Sequence, residues 1–321
     1  MGFLTKYGSF WGMIPQTQGR IFWVAPAADY TIEGKSYSAA NDNDGLSPER
    51  ALRTIDYAIG LTTANVGDVI VLLNGAHSIS ATVAVDVAGI TITGIPRGVP
   101  LPRSRMNSGG ARNYTSVTST ETAGMIFTVT VADVEIAYLH MNPIAAGACV
   151  SASNAADRLY VHDCTFLMDT AEGTATFGVT FPLGTGTTVN NDESIIRNCY
   201  FLALGNQGPA IRAAGTVLGL KIENSTFELD GTTAWDDAIE SLTAGSVGLL
   251  IRDCDFTTRT GATVITDCID VTGMTTDKAT NVCRCYFPEG SDAFEATATL
   301  DVACAENYLA TSTGGALTGS I

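Results

Sequence analysis

A six-residue pattern of the form apolar, any, polar, small, any, Phe recurs through the second half of the chain. It reads Val161-His162-Asp163-Cys164-Thr165-Phe166, then Ile196-Arg197-Asn198-Cys199-Tyr200-Phe201, Ile222-Glu223-Asn224-Ser225-Thr226-Phe227, Ile251-Arg252-Asp253-Cys254-Asp255-Phe256 and Val282-Cys283-Arg284-Cys285-Tyr286-Phe287. A looser relative, Ile136-Ala137-Tyr138-Leu139-His140-Met141, precedes them. The small residue falls at 139, 164, 199, 225, 254 and 285, in steps of 25, 35, 26, 29 and 31 residues. A second column runs in step with it: Cys149-Val150, Gly178-Val179, Ala210-Ile211, Ala238-Ile239, Cys268-Ile269 and Ala293-Phe294. Unequal steps about a common length describe a rung with loops of variable size, which is the signature of a solenoid.

Each repeat supplies at least two short strands, and stacking like on like pairs them in parallel about 4.8 Å apart. The expected fold is therefore all-β, a right-handed parallel β-helix. Ile or Val, Cys and Phe form inward ladders, and Asn and Asp suit the bends, where short polar side chains bond the backbone. Cys149, Cys164, Cys199, Cys254, Cys268 and Cys285 read as core filler, since a free cysteine behaves as a small hydrophobe. Cys283-x-Cys285 lacks the Cys-x-x-Cys spacing of a zinc or redox site. A solenoid grows by adding rungs, so 321 residues fit one domain, and the abundance of Thr, Val and Ile agrees with pleated, half-buried strands.

Residues 1–36 read as an N-terminal arm, rich in aromatics (Phe3, Tyr7, Phe10, Trp11, Phe22, Trp23), and residues 37–321 as a single β-helix domain with a cap over about 37–66. Ser47 as N-cap and Pro48 at the first helical position predict a helix running to Ile59, with Ala51, Ile55, Ala58 and Ile59 on one face. Strands follow at Val69–Leu73, Val83–Val87 and Ile90–Ile95. An insertion from Arg97 to Thr120 carries Arg97, Arg103, Arg105 and Arg112 with no acidic residue, against a net charge of −16. That charge argues against nucleic-acid binding, which needs cations to neutralise phosphates. No apolar run reaches the length of a membrane span and no secretory leader is visible, so synthesis in the cytoplasm is expected.

Asn43-Asp44-Gly45-Leu46-Ser47-Pro48 with its following helix, then Val66-Gly67-Asp68-Val69-Ile70-Val71, resembles the N-terminal cap of pectate-lyase-like parallel β-helix proteins. The resemblance extends at fold level from about Tyr37 to Leu309. That superfamily includes polysaccharide lyases, glycosidases and virion spikes, so it does not name a function. In architecture the chain is most similar to the small spike-like β-helix proteins that decorate or cement phage capsids, and this resemblance implies a homotrimer.

Three groups of residues are candidates for function. Phe10, Trp11, Phe22 and Trp23 in the arm, with Arg103, Arg105 and Arg112 in the basic insertion, would contact a partner such as the major capsid protein. Asp237 and Glu240, Asp267 and Asp270, then Asp292 and Glu295 occupy equivalent positions beside the second column and should line one outer face. Carboxyl pairs of this kind hydrolyse glycosidic bonds, and Trp235 is placed to stack on a sugar; the same oxygens could take calcium. Arg212 is the one cation in the matching column, too few for lyase chemistry, which needs positive charge beside the acids. His77, His140 and His162 lack metal-ligand spacing and read as structural. No metal or cofactor is expected. The leading expectation is a non-enzymatic trimeric virion decoration protein on the capsid surface; the alternative is a tail spike or fibre that binds host surface polysaccharide, with or without cleaving it.

Overall fold

The computed structural model describes residues 19–95, 115–120, 124–143, 147–168, 177–182, 191–204, 208–231, 234–241, 246–259, 264–274, 280–293, 302–309 and 315–317. From Val69 to Phe287 the strands of the three large sheets follow one another in rotation. One rung is made of Tyr160–His162, Thr165–Met168 and Phe177–Phe181; the next is made of Ile195–Arg197, Tyr200–Ala203 and Ile211–Ala213. Among the described residues the first and second sheets contain ten strands each and the third contains seven; the rungs pair in parallel, and only Gly315–Leu317, at the end of the second sheet, pairs antiparallel, with Asn307–Leu309. This is a right-handed parallel β-helix, the hand that strand twist imposes on parallel crossovers.

Both repeat columns are ladders of the core. In the first sheet Ile136, Val161, Ile196, Ile222, Ile251 and Val282 stand in register. In the third, Val150, Val179, Ile211, Ile239 and Ile269 do the same. Five phenyl rings of the second sheet, Phe166, Phe201, Phe227, Phe256 and Phe287, stack with centroids 4.5, 4.9, 4.9 and 5.1 Å apart. The six filler cysteines are buried free thiols, while Cys283 and Cys304 are half-buried.

The bends have a regular chemistry. At the exit of the seven first-sheet strands from Glu135–Ala137 onward one residue adopts the left-handed conformation: Tyr138, Asp163, Asn198, Asn224, Asp253, Arg284 and Glu306, with φ of 49–56°. The amides of the first six donate to the next rung, as from Asn198 N to Glu223 O at 3.1 Å. At the entry of the first five of these strands Asp133, Arg158, Glu193, Gly219 and Gly248 adopt the same conformation, always five residues before the exit bend. Asn, Asp and Gly tolerate this conformation, whereas other side chains pay about 1–2 kcal/mol for it. Glu193 is exposed and precedes two rungs that use glycine there, so Glu193→Gly is expected to stabilise the fold by about 0.5–1 kcal/mol, read as a raised urea midpoint.

The amino-terminal end differs from the sequence expectation. The single predicted helix is a 3-10 turn at Pro48–Arg50 followed by an α-helix at Ile55–Leu61, whose N-cap is Thr54. The Thr54 hydroxyl accepts from Tyr57 N, while Ser47 makes no side-chain cap bond. Ile55, Ala58 and Ile59 close the first rung, which protects core and edge from water and from further strands. The arm expected over 1–36 is corrected as well. Ile21–Val24 is the first strand of the first sheet and pairs with Val69–Leu72. An antiparallel hairpin, Asp29–Ile32 with Lys35–Ser38, supplies Tyr30 and Ile32 to an apolar layer over the outer face of that sheet. Phe22 packs into the main core and Trp23 beneath this hairpin, 2% and 3% exposed, so neither is free for a partner. The basic insertion also ends earlier than expected, since Thr115–Ser119 is a strand of the second sheet. Arg97, Arg103, Arg105 and Arg112, like Phe10 and Trp11, lie outside the described residues.

Candidate acidic site on the third sheet

The outer column of the third sheet reads Thr128, Ser151, Thr180, Arg212, Glu240 and Asp270 from rung to rung. Three residues before Glu240 and Asp270 stand Asp237 and Asp267, which pair with each other, and an isolated bridge adds Asp292 to Asp267. The sequence columns therefore place five of the six carboxylates correctly; Glu295 lies outside the described residues. Hydroxyls fill the earlier rungs and acids only the later ones, so the charge is concentrated at one end of the face.

Carboxylate oxygens of Asp237, Glu240 and Asp270 lie within 4.8 Å of one another, a spacing that a cation can also bridge. Burial pushes the Asp237 carboxyl up to about 7, and the charges of Asp270, Glu240, Asp267 and Asp236 add to the effect. Glu240 is also raised, first by burial; Arg212 opposes this and Asp270 reinforces it. Arg212 Nε approaches Glu240 Oε2 at 2.9 Å, a close ion pair whose direction is poor for a hydrogen bond, and the guanidinium also lies 5.4 Å from the centre of the Phe177 ring. Asp270 is 8% exposed, and its Oδ1 accepts from Thr272 N at 2.7 Å and Thr272 Oγ1 at 2.6 Å. Those bonds fix the carboxyl plane and leave Oδ2 for other work. The site thus sets a proton-holding acid, Asp237, beside the fixed carboxyl of Asp270, an arrangement that suits general acid catalysis.

A raised carboxyl pKa favours the protonated folded state. Its stabilisation is complete below the unfolded value near 4 and is lost as pH rises through about 7. The melting temperature should accordingly fall between pH 5 and pH 8, and Asp237→Asn should flatten that dependence and melt higher than the parent at pH 8; differential scanning calorimetry at both pH values reads this directly.

Trp235 is corrected: it is fully buried, and its Nε1 donates to Gly208 O at 3.2 Å, so it cannot stack on a bound sugar. His162 is structural as expected. Its ring lies between Glu135 Oε1 and Asp163 Oδ2, both at 2.8 Å, and stacks on Tyr160 at 4.2 Å. Burial opposes its charge, yet the two carboxylates carry its pKa to about 9. His77 is buried at the start of the second-sheet column, pairing with Val117, and burial holds its pKa down to about 4. No sequence signal marked Thr272 or the Asp270 turn.

No family model matches the chain, and no curated protein matches it. Among solved structures, the pectin methylesterase of Aspergillus niger is 12% identical, with 95% of this chain and 94% of that one covered and a TM-score of 0.47. A rhamnogalacturonan lyase is 10% identical, with 90% and 87% covered and a TM-score of 0.45. ORF18 of Geobacillus virus E2 is 15% identical, with 83% and 60% covered and a TM-score of 0.36. No helix among the described residues is long and apolar enough to cross a membrane. The three parallel ladders establish by themselves that this chain is a right-handed parallel β-helix protein.

Proposed function

We propose that this protein binds and hydrolyses a neutral polysaccharide on the acidic outer face of its third sheet, in the setting of a phage tail spike or fibre. The supporting observation is the Asp237–Asp270 pair, one carboxyl holding a proton near neutrality and the other fixed by Thr272 within 4.8 Å. Asp237 gives its proton to the glycosidic oxygen, and the bond to the anomeric carbon breaks as Asp270 Oδ2 attacks that carbon. Water, deprotonated by Asp237, then cleaves the glycosyl ester and returns the proton. Carboxyl groups about 5 Å apart act by this double displacement, whereas inversion needs about 6.5 Å or more to admit a water, so retention at the anomeric carbon is the expected stereochemistry. The carboxylate row repels uronic acids, and Arg212 already faces Glu240, which favours an uncharged chain.

The test is incubation with neutral surface polysaccharides of candidate hosts, with reducing ends counted and the anomer of the product read by proton NMR. Absence of new reducing ends with every polysaccharide sinks the enzymatic reading.

A trimeric capsid decoration protein is the second reading. The first sheet favours it with an outer row of complementary charge, Glu223 pairing with Arg252 at 2.7 Å and approaching Arg197 at 3.9 Å, which suits packing of flat faces. Copy number per virion, relative to the major capsid protein, separates the two: hundreds of copies in fixed ratio mark decoration, a few tens or fewer a spike.

A further inference from the structure

At the amino-terminal end of the coil, far from the acidic row, the cap helix does not cover the whole first rung. Between its start and the segment joining the first strands of the second and third sheets lies a cavity of about 450 Å³. Five strand spacings separate Val83–Val85, at this end of the third sheet, from Trp235–Ser241, or about 24 Å along the axis.

Ile55 and Ile79 give this cavity apolar walls, and Ser78, Ser80 and Thr82 bring hydroxyls to it. Arg53 and Asp56 contribute opposite charges, so the cavity favours neither an anion nor a cation. His77 also lines it and is 4% exposed. Its Nε2 lies 2.8 Å from Leu73 O. A carbonyl only accepts, so Nε2 carries the ring proton and Nδ1 keeps its lone pair. Burial keeps the ring neutral at working pH. Among the described residues Nδ1 has no hydrogen-bond partner. The next rungs fill this column with Val117, Met141 and Phe166, so a hydrophobe would serve packing at least as well as histidine.

We propose that this cavity is a second binding site, specific for one neutral pyranose unit, with a sugar hydroxyl donating to His77 Nδ1. Apolar walls suit the C–H face of the ring, while the hydroxyls and the Arg53 and Asp56 side chains suit its rim. The volume falls in the range of small-ligand pockets.

The test uses glucose, galactose, mannose, rhamnose and N-acetylglucosamine at millimolar concentration, with saturation-transfer NMR and calorimetry on the full chain. At least one is expected to bind, and methyl glycosides of that sugar tell a free sugar from the end unit of a glycan. His77→Phe continues the hydrophobic column without the acceptor, and Ala81→Trp places a large ring at an exposed lining position. Each should weaken binding by about tenfold or more, with the melting temperature confirming that the variant is folded. Asp267→Trp, which places a large ring on the acidic row, should leave this binding unchanged, which distinguishes the site from that row. Failure of all five sugars to bind, unchanged affinity in either cavity variant, or loss of binding in Asp267→Trp overturns the proposal.

Discussion

Asp237→Asn is expected to lower polysaccharide hydrolysis by about two to four orders of magnitude, the usual contribution of a positioned general acid. Asparagine keeps the size of the side chain and its place opposite Asp267, but it has no proton to give the leaving oxygen. The loss should fall on kcat, because binding of the neutral chain does not depend on that proton. Aryl glycosides with good leaving groups need little protonation, so the variant should retain much more activity on them than on the polysaccharide. The parent should lose activity above about pH 7, where Asp237 ionises, and the variant should not show that limb. Equal loss on both substrate classes, with the alkaline limb intact, would give the acid role to another group.

The largest effect on stability is expected at the centre of the phenyl stack. Phe227 is fully buried between Phe201 and Phe256, with both centroids 4.9 Å away. Truncation to alanine leaves a cavity between two rungs that cannot approach each other, because the strand ladders on either side hold their spacing. The expected cost is about 3–5 kcal/mol. Phe227→Leu keeps most of the volume but forfeits two ring pairs, for about 1–2 kcal/mol. Urea unfolding followed by far-UV circular dichroism measures both, with Tyr286→Ala as the control, since Tyr286 is 42% exposed in the same sheet. A cost below 1 kcal/mol for Phe227→Ala would mean that rungs relax independently around a void.

The coil was legible in the sequence because a ladder repeats residue type at each rung, and the register followed from the columns alone. The acid rows were legible for the same reason: Asp237 and Asp267, Glu240 and Asp270 inherit the alignment of Ile239 and Ile269. Exposure was harder to read. Acids beside Trp235 make it read as a surface residue, although it lies on the inward side of the same strand. Phe22 and Trp23 read as part of an arm because adjacent aromatics break the alternation of a half-exposed strand. The hairpin explains them, since a covered sheet buries both faces and needs no alternation. The left-handed bends were half legible. Asp163, Asn198, Asn224 and Asp253 announce them, but Tyr138, Arg158 and Arg284 adopt the same conformation through rung-to-rung bonds with no local signal.

The ladders also have a mechanical side. Hydrogen bonds between rungs run along the axis, and the ten-stranded sheets give the rod about 43 Å between first and last strand. A load pressing on the two ends is shared by all three walls and by side chains already in contact. A pull on one terminus meets only the outermost rung, which peels away before the next is disturbed. The molecule is therefore a strut and a poor tether: it resists compression along its axis, and when drawn out it should lengthen in discrete steps, one rung at a time.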